Sequence, residues 1–209
     1  MNVAIVDCGS GNLRSAANAV ERTAAEEGIA ARIEVTNEPE TVARADRVVL
    51  PGVGAFADCR RGLAAVPGLE AALRETATVR ARPFLGICVG MQWLYSGSTE
   101  APSQPGLAQF PESCSRFPDG REKVPHVGWN SLQVQDSSRL FSGISSGEYV
   151  YFTHSYKAPV TPDTAAVADY IEPFAAAVER GNVMGVQFHP EKSGATGLKI
   201  LRNFLEWTC

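Results

Sequence analysis

The chain has 209 residues, 44% hydrophobic and 20% charged, with a net charge of −4. That composition is ordinary for a globular protein in water, and the length suits one domain over residues 1–209 with a sizeable core. Lys and Arg scattered on an acidic balance argue against nucleic acid as a partner, and no apolar run approaches the roughly 18 residues of a membrane span.

The opening "MNVAIVDCGSGN" has no basic leader before its apolar stretch, so it reads as a strand and not as a signal peptide. Cys8, Cys59, Cys88, Cys114 and Cys209 are odd in number, widely spaced and without a C-x-x-C pair. The expectation is a reducing cytoplasm, no disulfide framework, no metal site and no cofactor.

In chain order, "NVAIVD" reads as a buried strand and "NLRSAANAVERTAAEEG" as a helix that Gly28 terminates. "ARIEVT", "RVVLPG" and "PFLGIC" supply further strands, with the helical "GLEAALRETATVRA" before the last of them. Such alternation implies right-handed crossovers and a mostly parallel sheet flanked by helices, an α/β fold with a flavodoxin-like core. The texture changes after about Ser96. A Ser/Pro/Gly loop, "SGSTEAPSQPG", leads into the short β-like runs "LAQF", "SLQVQ", "YVYFTHSY" and "AAVADYI". Without helix-length connections these are expected to be antiparallel. The closing "NVMGVQFHPEKSGATGLKILRNFLEW" returns to a strand, a loop and an amphipathic helix with Leu198, Leu201, Phe204 and Leu205 as core.

The chemistry centres on "GICVG", Gly86 to Gly90. It has the form of a nucleophile elbow, in which a strand turns sharply into a helix and small residues two positions either side leave the nucleophile outward. Amides at the start of a helix favour a thiolate, and the amide of Val89 is placed to bind an oxyanion. Alone, a G-x-C-x-G more often marks a buried cysteine at a tight packing turn. A base decides between the two readings, and the chain has three histidines: His126, His154 and His189. His189 follows an apolar run in "GVQFHPEK", with Pro190 ending the strand and Glu191 two positions on, where a carboxylate can fix the ring's tautomer. His126 and His154 lack an adjacent carboxylate and are poorer bases. "VVLPGVGAF" ends a strand in a Pro-Gly-x-Gly loop whose amides, at Gly52 or Val53, can supply the second oxyanion donor. By itself that loop fits a plain strand-ending turn equally well.

In this order, "PGVGAF", "GICVGMQ" and "GVQFHPEKS" resemble the class I glutamine amidotransferases. "VDCGSGNLRS", "KVPHVGWN", "YFTHSY" and "GLKILRNFL" narrow the resemblance to the glutaminase subunits of imidazole glycerol phosphate synthases, across essentially the whole chain. The resemblance implies that Cys88 attacks the glutamine side-chain amide, that His189 activates the water hydrolysing the thioester, and that Glu191 orients His189. It implies that Gly52 and Gln92 contact glutamine, with the backbone of His154, Ser155 and Tyr156 at its amino-acid end. Ammonia is then expected to pass to a cyclase subunit built as a (β/α)8 barrel, with Asn12, Arg14, Trp129 and Lys192 facing it. Two departures stand out: this chain has Cys8 where the family usually has tyrosine, and Val89 where it usually has leucine. Two competing readings are a stand-alone thiol hydrolase of γ-glutamyl or peptide bonds, and a non-enzymatic module binding phosphate at "DCGSGN".

Overall fold

A computed structural model of the chain describes residues 1–9, 11–120 and 122–208. Cys209, and Ser10 within the first loop motif, lie outside the described residues. The first half runs β1 (Asn2–Val6), α1 (Leu13–Glu26), β2 (Arg32–Thr36), α2 (Pro39–Arg44), β3 (Arg47–Gly52), α3 (Phe56–Ala65), α4 (Leu69–Thr78) and β4 (Phe84–Cys88). The short α5 (Val89–Trp93) follows directly, then β5 (Tyr95–Ser98), β6 (Phe110–Arg116), β7 (His126–Ser131) and β8 (Gln133–Val134). The rest is β9 (Tyr149–His154), β10 (Tyr156–Lys157), β11 (Thr164–Asp169), β12 (Pro173–Arg180), β13 (Val183–Val186), a 3-10 turn (Pro190–Lys192) and α6 (Gly194–Leu205).

The main sheet has the order β2-β1-β3-β4-β13-β12-β11-β8. Its first five strands are mutually parallel, in the flavodoxin-like arrangement expected from the alternating pattern. β4 and β13 are buried along their whole length, which is why they read as unbroken apolar runs. Because the chain steps from β1 out to β2 and back past β1 to β3, right-handed crossovers put α1 and α2 on opposite faces. Accordingly α1 packs on α6, while α2 packs on α4 and α3 on α4 and α5. Gly28 (φ 64°) ends α1 as its sequence position suggests. The Ile29 amide reaches the Ala24 carbonyl at 2.8 Å and the Gly28 amide the Ala25 carbonyl at 3.3 Å, a Schellman closure.

The second half is β-rich, and β8, β11 and β12 extend the main sheet antiparallel. A three-stranded sheet, β10-β6-β5, and the β7-β9 pair complete it. Two expectations change. β5 and β6 pair in parallel, and "LAQF" enters a strand only at Phe110. Leu107 and Ala108 instead fold back, their amides bonding the Trp93 and Tyr95 carbonyls at 2.6 and 3.1 Å. That return loop lets an eleven-residue connection (99–109) place β6 alongside β5 in the same direction. At the end of the chain Leu201, Phe204 and Leu205 are core, and Leu198 is partly buried against it.

The register of the main sheet places the site. Gly52, the last residue of β3, stands beside Cys88, the last of β4. Val186, the last of β13, stands beside Ile87, so Gln187 emerges at the level of Cys88. Three strands therefore bring Gly52, Cys88 and Gln187 to one level at their carboxyl ends, where ligands of open α/β sheets bind. Among the described residues no helix is long and apolar enough to cross a membrane.

Candidate active site

Cys88 joins β4 to α5 with φ 55° and ψ −109°, a region that non-glycine residues rarely occupy. Close packing fixes this turn. A Cβ on Gly90 would lie 1.8 Å from the Leu50 carbonyl oxygen of β3, and one on Gly86 would lie 2.5 Å from the Gly90 oxygen. One on Gly52 would lie 2.9 Å from the Val89 Cβ. The three glycines thus press β3, β4 and α5 together and leave Cys88 no ordinary conformation. The residue is only 4% exposed, so the sulfur opens on a recessed, half-open cavity and not on the outer surface. With five residues α5 carries little macrodipole, and its first free amides are the relevant donors.

The cavity measures about 260 Å³. Cys88, Val89, Gln92 and His189 line it, together with Val53 and Gly54 of the Pro-Gly-x-Gly loop and the segment from Thr153 to Tyr156. Gly52 is not among the lining residues; its Cα packs against Val89. The sequence reading missed Glu100, Pro125 and Gln187. Glu100 and Pro125 line the cavity from loops, and no local pattern marks them. Glu100 is held by the Phe56 amide, which donates to its Oε2 at 2.8 Å. Gln187 donates from Nε2 to the Cys88 sulfur at 3.6 Å, and its alternation with His189 in "QFH" was a readable signal.

His189 Nδ1 lies 2.8 Å from Glu191 Oε1, and both side chains are almost wholly buried. The 3-10 turn brings the carboxylate back to the ring, and Ser193 clamps the turn, its Oγ donating to the His189 carbonyl at 2.6 Å and accepting the Tyr151 amide at 3.0 Å. Burial alone would lower the pKa of His189. Its interactions with the Cys88 thiol and the Glu191 carboxylate outweigh that and raise it to about 9. Its Nε2 is buried without an oxygen or nitrogen partner, on the side left for the sulfur and for a reacting group. The neighbouring thiol and imidazole, with a carboxylate behind the ring, can deliver a nucleophile and a proton to one carbon.

His126 and His154 are buried away from Glu191 and bonded to each other, Nδ1 to Nε2 at 3.1 Å. Burial pushes their pKa values down to about 4 and about 3. Cys8 is buried, its Sγ 3.6 Å from the Pro51 carbonyl under the glycine loop, and its hydrogen bond with Cys59, together with burial, pushes the Cys59 thiol well up. None of the described cysteines forms a disulfide. Trp129 is 56% exposed and meets Tyr151 edge-on at 6.0 Å, while Lys192 Nζ sits 5.9 Å over the same ring. These two make one exposed cluster around Tyr151, two residues before the cavity-lining Thr153. Asn12 and Arg14 stand exposed at the start of α1, whose Ser15 and Asn18 share a second cleft with Pro190 and Glu191.

Fold and elbow together define a class: an α/β protein that presents a thiol at a strand-to-helix turn. The family model for class-I glutamine amidotransferases matches residues 4–207, and the chain belongs to that family. The imidazole glycerol phosphate synthase subunit HisH of Rhodospirillum rubrum is 53% identical over 212 residues, spanning 99% of each chain. The HisH subunit of Brucella suis is 50% identical over 214 residues with the same coverage, so HisH is the branch this chain matches. Among solved structures, a glutamine amidotransferase superposes with a TM-score of 0.73 at 20% identity, covering 98% of this chain and 97% of that one. A glutamine amidotransferase of Thermotoga maritima gives 0.63 at 19% identity, covering 96% of this chain and 80% of that one. These last two concern the fold alone.

Proposed function

We propose that this chain is the glutaminase subunit of an imidazole glycerol phosphate synthase, acting as a single amidotransferase domain in the cytoplasm. Cys88 Sγ attacks Cδ of glutamine, and the resulting oxyanion is held by the amide of Val89 and one from Gly52 or Val53. Each such donor is worth roughly 10²–10³ in rate. The His189 imidazolium gives its proton to the departing nitrogen, so ammonia leaves and a glutamyl thioester remains. His189 then takes a proton from water, the hydroxide adds to the thioester carbon, and glutamate departs as the thiolate is restored. Glu191 holds the tautomer and balances the imidazolium charge.

The observation that carries this reading is the 2.8 Å His189–Glu191 pair beside a thiol forced into a positive-φ elbow. The raised pKa of His189 supports a ring that is charged when it must protonate the leaving group. Gln92, Glu100 and the Ser155–Tyr156 backbone form the wall for the amino-acid end of glutamine, with the Glu100 carboxylate suited to its ammonium group. The ammonia passes to a (β/α)8-barrel cyclase that makes imidazole glycerol phosphate. Trp129 and Lys192, with Asn12 and Arg14, face that partner. An exposed indole is a common anchor of interfaces.

The test is glutamate release from glutamine with and without a cyclase subunit loaded with its own substrate, with Cys88→Ala as control. Activity that needs the loaded cyclase and vanishes on substitution is the expected result. Full activity without the partner would favour a stand-alone hydrolase, and activity surviving the loss of Cys88 would refute the mechanism.

A further inference from the structure

Behind the cavity wall runs a chain of hydrogen bonds that the mechanism above does not use. It begins at Asn130 on β7, whose Nδ2 donates to the Asp169 carbonyl at 2.8 Å and lies 3.4 Å from His126 Nε2. His126 Nδ1 is 3.1 Å from His154 Nε2, and His154 Nδ1 is 2.9 Å from the Tyr156 carbonyl oxygen. The same oxygen accepts Gln92 Nε2 at 3.1 Å, which also reaches Gln187 Oε1 at 3.2 Å, and Gln187 in turn donates to Cys88.

The ends of this chain fix the protons inside it. A carbonyl only accepts, so His154 Nδ1 carries its hydrogen and, in a neutral ring, His154 Nε2 accepts. His126 Nδ1 must then donate, which leaves His126 Nε2 to accept from the Asn130 amide. A second proton on His154 would set two N–H groups against each other. The surroundings act in the same sense. His126 stacks on Tyr170 and Phe152 with centroids 4.0 and 4.7 Å away, and Phe117 and Phe174 close around both rings. Burial outweighs the Tyr156 carbonyl, which favours a proton on His154, and His126 and then His189 lower His154 further; the Lys157–Glu172 ion pair lies beyond the Phe117 ring. Both rings therefore stay neutral where His189 is charged.

We propose that His126 and His154 are positioning residues for glutamine, a tautomer-locked relay that holds the Tyr156 carbonyl and with it the Ser155–Tyr156 wall of the cavity. The proposal rests on the glutaminase reading. With two donors on the Tyr156 oxygen and the Phe117 amide on the Ser155 oxygen at 3.0 Å, neither peptide can turn without losing buried bonds. His126 does not line the cavity and acts through His154.

The test uses the complex with the loaded cyclase. His126→Phe keeps the stacking on Tyr170 and removes the donor. It should raise KM for glutamine about tenfold with kcat within about twofold, the loss of one buried hydrogen bond. His126→Asn, whose amide nitrogen stands where Nδ1 stood, should bring KM back to within about twofold of the unsubstituted chain. An unmoved KM in folded His126→Phe, or the same KM in both variants, overturns the relay. Without any variant, nitrogen NMR of the imidazoles should show neutral Nδ1–H tautomers for both rings from roughly pH 5.5 to 8.5. An Nε2–H tautomer or an imidazolium at either ring overturns it as well. Should the unsubstituted complex release no Cys88-dependent glutamate, the glutaminase reading fails, and the tautomer spectrum still decides the relay.

Discussion

Replacing Gly90 by alanine adds one methyl group at the tightest contact of the elbow. The new Cβ would fall 1.8 Å from the Leu50 carbonyl oxygen, whereas real Cβ atoms essentially never come within 3.0 Å of such a neighbour. The two must separate by at least about 1.2 Å. Leu50 lies inside β3 between β1 and β4, so it cannot yield, and α5 must lift with Cys88 and Val89 at its base. Overpacking against fixed backbone costs about 3 kcal/mol, the upper end of the usual range. For a chain of this length that corresponds to a fall of about 6–12 °C in Tm. The same movement carries the sulfur and the Val89 amide off their target by about an ångström, which costs about 10² in kcat/KM. Calorimetry and glutamate release with loaded cyclase measure the two effects together. Gly97→Ala is the control: Gly97 is also buried, but its added Cβ meets nothing closer than the Gln104 oxygen at 3.4 Å, and both readings should stay near those of the unsubstituted chain. A Gly90→Ala chain that keeps its Tm and its activity would refute the idea that interlocked glycines hold the nucleophile.

Cys88→Gly and Cys88→Ala should both abolish glutamate release, but the glycine variant should melt higher, because it relieves a positive-φ strain of about 1–3 kcal/mol that alanine retains. Equal melting temperatures would remove the strain from the account of the elbow. Trp129→Ala should weaken cyclase association by about 2 kcal/mol or more, as for an exposed aromatic anchor, while alkylation of Cys88 in the isolated chain is unchanged; titration calorimetry and mass spectrometry read the two. Stability should peak near neutral pH for two opposed reasons. His126 and His154 fold with depressed pKa values, so the unfolded chain binds more protons and stability falls as pH drops from about 6.5 toward 4 and 3. His189 folds with a raised value, so its contribution is whole below about 6.5 and is lost as pH rises through about 9. Thermal melts across pH should show both limbs, with the alkaline one flattened in Cys88→Ala, which lacks the thiol that raises His189; an alkaline limb unaltered by that substitution would contradict the pairing.

The first half of the fold was legible because β1, β3 and β4 are buried on both faces, β2 at the sheet edge being the exception, and its helices are punctuated by residues such as Gly28 with a single plausible use. The second half was harder. β12 carries the run Ala175–Ala176–Ala177, which favours helix locally and is held as strand by β11 and β13 on either side and by a bridge from Ala158 to Ala175. The parallel pairing of β5 with β6 depends on bonds from Leu107 and Ala108 back to Trp93 and Tyr95, which no local pattern announces. The site shows the same division. Cys88, His189 and Glu191 were readable because each sits where a strand ends in a turn whose glycine or proline leaves a mark. Glu100 was not, since its position is set by the Phe56 amide on a different segment.

That division has a physical root in the register of the sheet. β3, β4 and β13 are far apart in sequence, yet pairing brings Gly52, Cys88 and Gln187 to one level, so motifs that are weak singly converge once the strand order is fixed. The far wall obeys no such rule. It is carried by the β7-β9 pair, outside the main sheet; apart from the Thr153 carbonyl, 4.0 Å from the Cys88 sulfur, it is tied to Cys88 through side chains: His154 on the Tyr156 carbonyl, Gln92 beneath it, and Gln187 against the sulfur. A sequence pattern reports backbone periodicity and therefore reads the half of the site that backbone pairing builds. The half built by buried polar side chains depends on proton positions that two carbonyls and an amide impose from opposite ends, and those become visible only with all the partners in place.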